Sequence, residues 1–210
     1  MTTTEIRNVV FDVGGVLIEL RYERFIRHLA DAGIDMTDLP AWLVRVDIAG
    51  HERGEFPGAT LLERIAAMAP SPMDPIDLRT RWLDMFEPAH AMIALARGLM
   101  PRYRVYLLSN AGDLHWQHLD GLYGLDSLVH GALASFRAGA VKPNAAIYRK
   151  AEALFSLDPA ATVFIDDLPP NVEGARQCGW RAIRHVGAAQ TLAELRALGV
   201  RIPKHLIDAA

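Results

Sequence analysis

The sequence predicts an α/β fold, a doubly wound parallel sheet interrupted by an all-helical insertion. Three observations carry this expectation. Short apolar runs rich in β-branched and aromatic residues recur along the chain, as in strands buried on both faces. Helical periodicities separate several of them, as crossover connections require. One long stretch, from about Glu19 to Glu87, shows helical patterns and no convincing strand.

Taken in order, the expected strands span 8–11, 104–108, 131–134, 162–165 and 181–185. Ile147, Ala151, Leu154 and Phe155 fall at i, i+4, i+7 and i+8, which marks one apolar helix face. Asn144 stands where it can cap that helix. Leu192, Leu195 and Leu198 mark another helix near the C-terminus. In the insertion, helices are expected over 22–32, 39–49, 59–69 and 77–86, with Pro70, Pro72 and Pro75 turning the chain between the last two. The division is a core of 1–18 and 88–210, with the insertion at 19–87.

A chain of 210 residues suffices for one α/β domain with such an insertion. Its 51% apolar and 22% charged residues are ordinary for a globular protein. The net charge of −3 gives no electrostatic case for nucleic acid or an anionic membrane. Cys178 is the single cysteine, so no internal disulfide forms, and a buried inert thiol is expected. Asp12 and Gly14-Gly15 break the apolar stretch from Val9 to Ile18, which is too short to span a bilayer and has no basic leader. A reducing cytoplasm is the expected compartment.

Two apolar runs end in acid: Val9-Val10-Phe11 stops at Asp12, and Thr162-Val163-Phe164-Ile165 stops at Asp166-Asp167. Side chains at the carboxyl ends of parallel strands line the crevice where open α/β folds bind ligands. Carboxylates converging there need a cation, and hard oxygen ligands beside a phosphate suit magnesium. After Asp12, Gly14-Gly15 permits a sharp turn and close ligand approach. Ser109-Asn110 follows a strand and offers a hydroxyl and amides to phosphate oxygens. Lys142, braced by Pro143, is a compact positive charge able to balance the acids. Singly each has a plain structural reading: a capping aspartate, a turn pair, a surface lysine, a helix-capping acidic pair. Their order along the chain discriminates.

These four segments resemble the motifs of the haloacid dehalogenase (HAD) superfamily, and the helical insertion resembles its cap. The fold implied is a Rossmann-like HAD core carrying that cap. Phe11-Asp12-Val13-Gly14-Gly15-Val16-Leu17-Ile18 is similar to small sugar-phosphate phosphatases. His51-Glu52-Arg53-Gly54-Glu55 further resembles a segment of the α-D-glucose-1-phosphate phosphatase type. The resemblance implies a magnesium-dependent phosphatase of small phosphorylated metabolites, with Asp12 as nucleophile and an aspartyl-phosphate intermediate. It implies metal ligands at Asp12, the Gly14 carbonyl and Asp167, with Asp166 close by. It implies Gly14, Gly15, Ser109, Asn110 and Lys142 around the phosphate, Lys142 also serving catalysis.

One departure matters. Phosphatases of this superfamily usually carry an acid two positions after the nucleophile, where this chain has Gly14. His51, Glu52, Glu55 and His115 are candidates to supply the missing acid–base function, each equally readable as a surface residue. Trp42 and Trp82 are expected at the substrate entrance or in cap packing; Arg45, Arg53 and His51 could meet a sugar phosphate from the cap side, which their spacing does not establish. His115 and His118, at i and i+3, are read as a helix-surface pair and not a metal clip. Three rival readings stand beside the phosphatase: a haloacid dehalogenase, a non-catalytic phosphoryl-ligand module and a phosphonate hydrolase. Retained acids at 166 and 167 favour phosphate chemistry over the first. The last would want a cap lysine, and no lysine precedes Lys142.

Overall fold

The computed structural model describes residues 4–207. Five parallel strands form the central sheet: β1 (Asn8–Phe11), β4 (Arg104–Ser109), β5 (Ala132–Ala134), β6 (Thr162–Asp166) and β7 (Arg181–Arg184), ordered β5-β4-β1-β6-β7. A separate antiparallel ribbon pairs β2 (Ile18–Leu20) with β3 (Phe86–Pro88).

Alternation along the strands feeds two cores. Val9 and Phe11, Val105 and Leu107, and Val163 and Ile165 join one apolar cluster, packed by helices His90–Leu99, Asp113–Tyr123 and Ala188–Ala197. Val10, Tyr106, Leu108 and Phe164 join the opposite cluster with helices Ala145–Phe155 and Pro169–Gln177. Both faces are therefore covered, as the unbroken apolar strands require. Asn144 caps its helix as expected, accepting from the Ala146 amide at 2.9 Å. Leu154, assigned to that helix's apolar face, instead points to solvent. Ile147, Tyr148 and Ala151 carry the packing.

Five helices form the cap: α1 (Tyr22–Asp31), α2 (Leu39–Val46), α3 (Ile48–Glu52), α4 (Gly58–Ala66) and α5 (Pro75–Leu83). They enclose their own cluster around Leu29, Val46, Leu61 and Ile65, with Phe25 and Trp82 meeting edge to face at 4.9 Å. Three expectations need correction here. The span 39–49 is two helices, because Asp47 turns left-handed (φ 60°) and its carboxylate caps α3 through the Gly50 amide at 3.0 Å. The last cap helix begins at Pro75 and ends at Leu83, so Phe86 lies in β3. The insertion is also flanked by strand, since β2 and β3 pair where the chain leaves and rejoins the core. Three-residue strands offer too few alternations to be read from sequence.

Candidate active site

Strand register brings the distant segments together. Phe11 is level with Leu107 on one side and Ile165 on the other, so Asp12 emerges beside the ends of β4 and β6. The Asp12 amide bonds the Ile165 carbonyl at 2.9 Å, and the Val13 amide donates to Asp12 Oδ1 at 2.7 Å, orienting the carboxylate. The chain then coils back, with the Leu17 and Ile18 amides both on the Val13 carbonyl at 2.8 Å. Gly15 has φ +76°, and a Cβ there would lie 2.5 Å from the Asp167 carboxylate. Only glycine fits this bend.

Lys142 occupies the centre. Its Nζ lies 2.8 Å from Asp12 Oδ1 and 2.7 Å from Asp166 Oδ2, and donates to the Leu108 carbonyl at 3.1 Å. Asp166 is fully buried and Lys142 is 3% exposed. Asp166 also accepts from the Leu168 amide at 2.9 Å and from Asn171 Nδ2 at 3.0 Å, so every side of this buried carboxylate is partnered. Asn110 clamps Lys142 from both directions: its Oδ1 accepts from the Lys142 amide at 2.8 Å and its Nδ2 donates to the Lys142 carbonyl at 3.0 Å. The Asn110 side chain is thus a positioning group, a role the turn-pair reading did not foresee.

Ligand oxygens of Asp12, Asp166 and Asp167 lie within 4.8 Å of one another. Three carboxylates against one ammonium leave a formal charge of −2, which one divalent cation balances; the donor set is all hard oxygen. The residues present therefore fit a magnesium-type ion. Burial pushes the Asp12 carboxyl up to about 8, against the pull of Lys142 and with the push of Asp166. Burial alone would lower the Lys142 ammonium, but Asp12 and Asp166 outweigh it and hold it above its ordinary value. Burial and the neighbouring Asp166 likewise raise Asp167.

A cavity of about 400 Å³ lies between cap and core, with Gly14, Ser109 and Asn110 among its lining. Of the four acid–base candidates, Glu52 and His115 reach it in a half-buried position, His51 lines it while almost fully buried, and Glu55 stands in solvent. His51 packs so tightly that a Cβ on Gly112 would sit 1.8 Å from its Nε2, and its Nδ1 lies 3.3 Å from the Phe56 carbonyl. His115 stacks on Trp82 at 4.4 Å and bonds its carbonyl at 3.2 Å. Burial drives its pKa down to about 3, so it is neutral. His115 is therefore not part of a helix-surface pair; the aromatic cap side chains covering it could not be placed from the sequence. Burial pushes the Glu52 carboxyl up to about 7, with Lys142 pulling against it. Burial raises the Tyr22 hydroxyl to about 12, with Glu52, Asp167 and Asp12 adding to the rise. Trp42 and Trp82 line the cavity and also pack the cap. Arg45 is exposed and Arg53 pairs with Glu55 at 2.6 Å; neither lines the cavity. No described helix is long and apolar enough to cross a membrane.

Sheet topology and the acid cluster together define a doubly wound α/β protein with a ligand crevice at the carboxyl ends of its strands. The chain belongs to the haloacid dehalogenase-like hydrolase family, whose model matches residues 6–179. Among solved structures, a HAD family enzyme from Bacteroides thetaiotaomicron is 24% identical, with a TM-score of 0.82 over 92% of this chain and 99% of that one. The same enzyme in complex with magnesium and inorganic phosphate matches at 25% identity and TM-score 0.77, covering 85% and 93%. A predicted HAD-like family hydrolase from Porphyromonas gingivalis is 27% identical, with a TM-score of 0.78 over 93% and 98%. The L-2-haloacid dehalogenase of Xanthobacter autotrophicus, at 18% identity and TM-score 0.60 over 96% and 86%, shares the fold.

Proposed function

We propose that this protein is a magnesium-dependent phosphatase of small phosphorylated metabolites working through an aspartyl-phosphate intermediate. The observation that carries the reading is the Asp12–Lys142–Asp166 chain of contacts at 2.8 and 2.7 Å, with an Asp167 oxygen within 4.8 Å of the other two carboxylates. The magnesium and phosphate complex of the Bacteroides enzyme supports it by likeness. A dehalogenase needs no cation and hence no cluster of three acids.

Asp12, Asp167 and the Gly14 carbonyl would hold magnesium, with Asp166 behind them. Once bound, the ion supplies positive charge that offsets the anionic phosphoryl group. An Asp12 oxygen attacks phosphorus as the ester P–O bond breaks, and its electron pair leaves on the substrate oxygen. Lys142 balances charge on the transferring group, and Ser109 with the Asn110 amide orients it. Glu52 takes the acid–base role that Gly14 cannot fill, protonating the leaving oxygen and then accepting a proton from the attacking water. That water displaces the Asp12 carboxylate from phosphorus and frees phosphate. The cap, residues 19–87, closes over this chemistry and excludes bulk water.

Sugar phosphates, the class implied by the sequence resemblance, form the first panel of the test. Phosphate release is measured with magnesium, with chelator and in Asp12→Asn, beside halide release from a 2-haloacid. Magnesium-dependent release abolished in Asp12→Asn is expected. Halide release, or phosphate binding without turnover, would replace the reading.

A further inference from the structure

We propose that the leaving group of this phosphatase is apolar, an aryl or alkyl moiety in place of the polyhydroxylated one that the sequence resemblance implies. The proposal rests on the phosphatase reading for its phosphoryl end and on the cavity wall for the rest.

The polar groups gather at one end, at Gly14, Ser109 and Asn110. Away from them the wall is Tyr22, Phe25, Trp42, Trp82, Met85 and Phe86, supplied by the cap and the adjoining β3. Little hydrogen-bonding capacity on this wall is open to a ligand. His115 Nε2 bonds the Trp82 carbonyl at 3.2 Å, and His51 Nδ1 lies 3.3 Å from the Phe56 carbonyl. His51 Nε2 and the indole nitrogens of Trp42 and Trp82 have no hydrogen-bond partner but are buried behind their own rings, so the area these rings present to the cavity is carbon. Glu52, the Tyr22 hydroxyl and His115 Nδ1 are what remain. A sugar ring would bring several hydroxyls against three partners, and each one stranded in an enclosed site is costly. An apolar group strands none and gains contact with every ring. About 400 Å³ leaves ample room, since a cavity of roughly 150 Å³ already holds benzene.

The test uses the full chain with magnesium and n-alkyl phosphates from two to eight carbons, with phenyl, glycerol and glucose phosphates for comparison. Each added methylene is expected to raise kcat/KM about three- to fourfold until the cavity fills. Glucose or glycerol phosphate matching hexyl phosphate would overturn the proposal. A second arm needs no turnover: n-alkylphosphonates, which are not hydrolysed, are titrated against tryptophan fluorescence. Affinity should climb with chain length. The climb should flatten in Ile26→Gln and Met36→Gln, which alter half-buried cavity residues, and persist in Leu154→Gln, an exposed residue outside the cavity lining. Affinity indifferent to chain length overturns the proposal whatever the rates. A climb without hydrolysis of any ester upholds the apolar site and defeats the phosphatase reading alone.

Discussion

The hydroxyl of Ser135 in the core donates to the backbone carbonyl of Glu52 in the cap at 2.6 Å, while accepting from the Ala111 amide at 3.0 Å. Asp113 adds a second tie, accepting from the Gly58 amide at the start of α4 at 2.8 Å. The His51–Glu55 segment is therefore where the cap docks. Its docking delivers the Glu52 side chain to the cavity.

Glu52→Gln is expected to slow single-turnover cleavage of alkyl phosphates by about 10²–10⁴-fold. Cleavage of p-nitrophenyl phosphate, whose leaving group needs no proton, should change little in the same experiment. Because burial lifts Glu52 to about 7, its acid form prevails below that pH. Alkyl phosphate cleavage should therefore fall as pH rises through 7, and the variant should lack that limb. Equal losses on both esters at all pH values would remove Glu52 from the chemistry.

Gly14→Asp tests the same vacancy from the other side. A Cβ at Gly14 meets the Leu20 side chain, nearest its flexible end at Cδ1, 3.2 Å away. The variant should fold, keep its magnesium dependence and favour poorer leaving groups. In a Glu52→Gln background it should restore alkyl phosphate cleavage by about tenfold or more. Unchanged relative rates across the ester series would contradict this.

Asp166→Ala strips Lys142, the Leu168 amide and Asn171 of a shared partner inside a sealed site. A loss of about 3–5 kcal/mol is expected in urea unfolding. Arg81→Ala, which breaks an exposed pair with Asp77, should cost about 1 kcal/mol or less.

His115 gives a stability signature in acid. Burial holds it near 3 in the folded protein, while an unfolded chain titrates near 6.5. Between those values the unfolded state binds the extra proton, so stability falls as pH falls from 6.5 toward 3. His115→Phe keeps an aromatic ring against Trp82 and removes the titration. Its Tm should decline less than that of the parent between pH 6.5 and 4.5; parallel declines would show that His115 is solvated.

The core was legible because β1, β4 and β6 are apolar on both faces, and Asp12, Ser109 and Asp166 mark where each of the three ends. Lys142 was legible only through its company, since nothing local separates it from a surface lysine. The roles of Asn110 and Ser135 were not, because each bonds a segment more than twenty residues away. His115 misled for a related reason: its own helix has a solvent side, and the cover comes from Trp82 and Phe86. The ribbon escaped notice because its halves, Ile18–Leu20 and Phe86–Pro88, acquire meaning only when paired.

That ribbon has a consequence for how specificity changes in such a chain. Exit at Leu20 and re-entry at Phe86 sit side by side, so whatever is spliced between them leaves the five-stranded register untouched. A foreign cap grafted at this seam would inherit the reacting acids and lysine intact. It would bring its own walls, making selectivity a replaceable part and hydrolysis a fixed one.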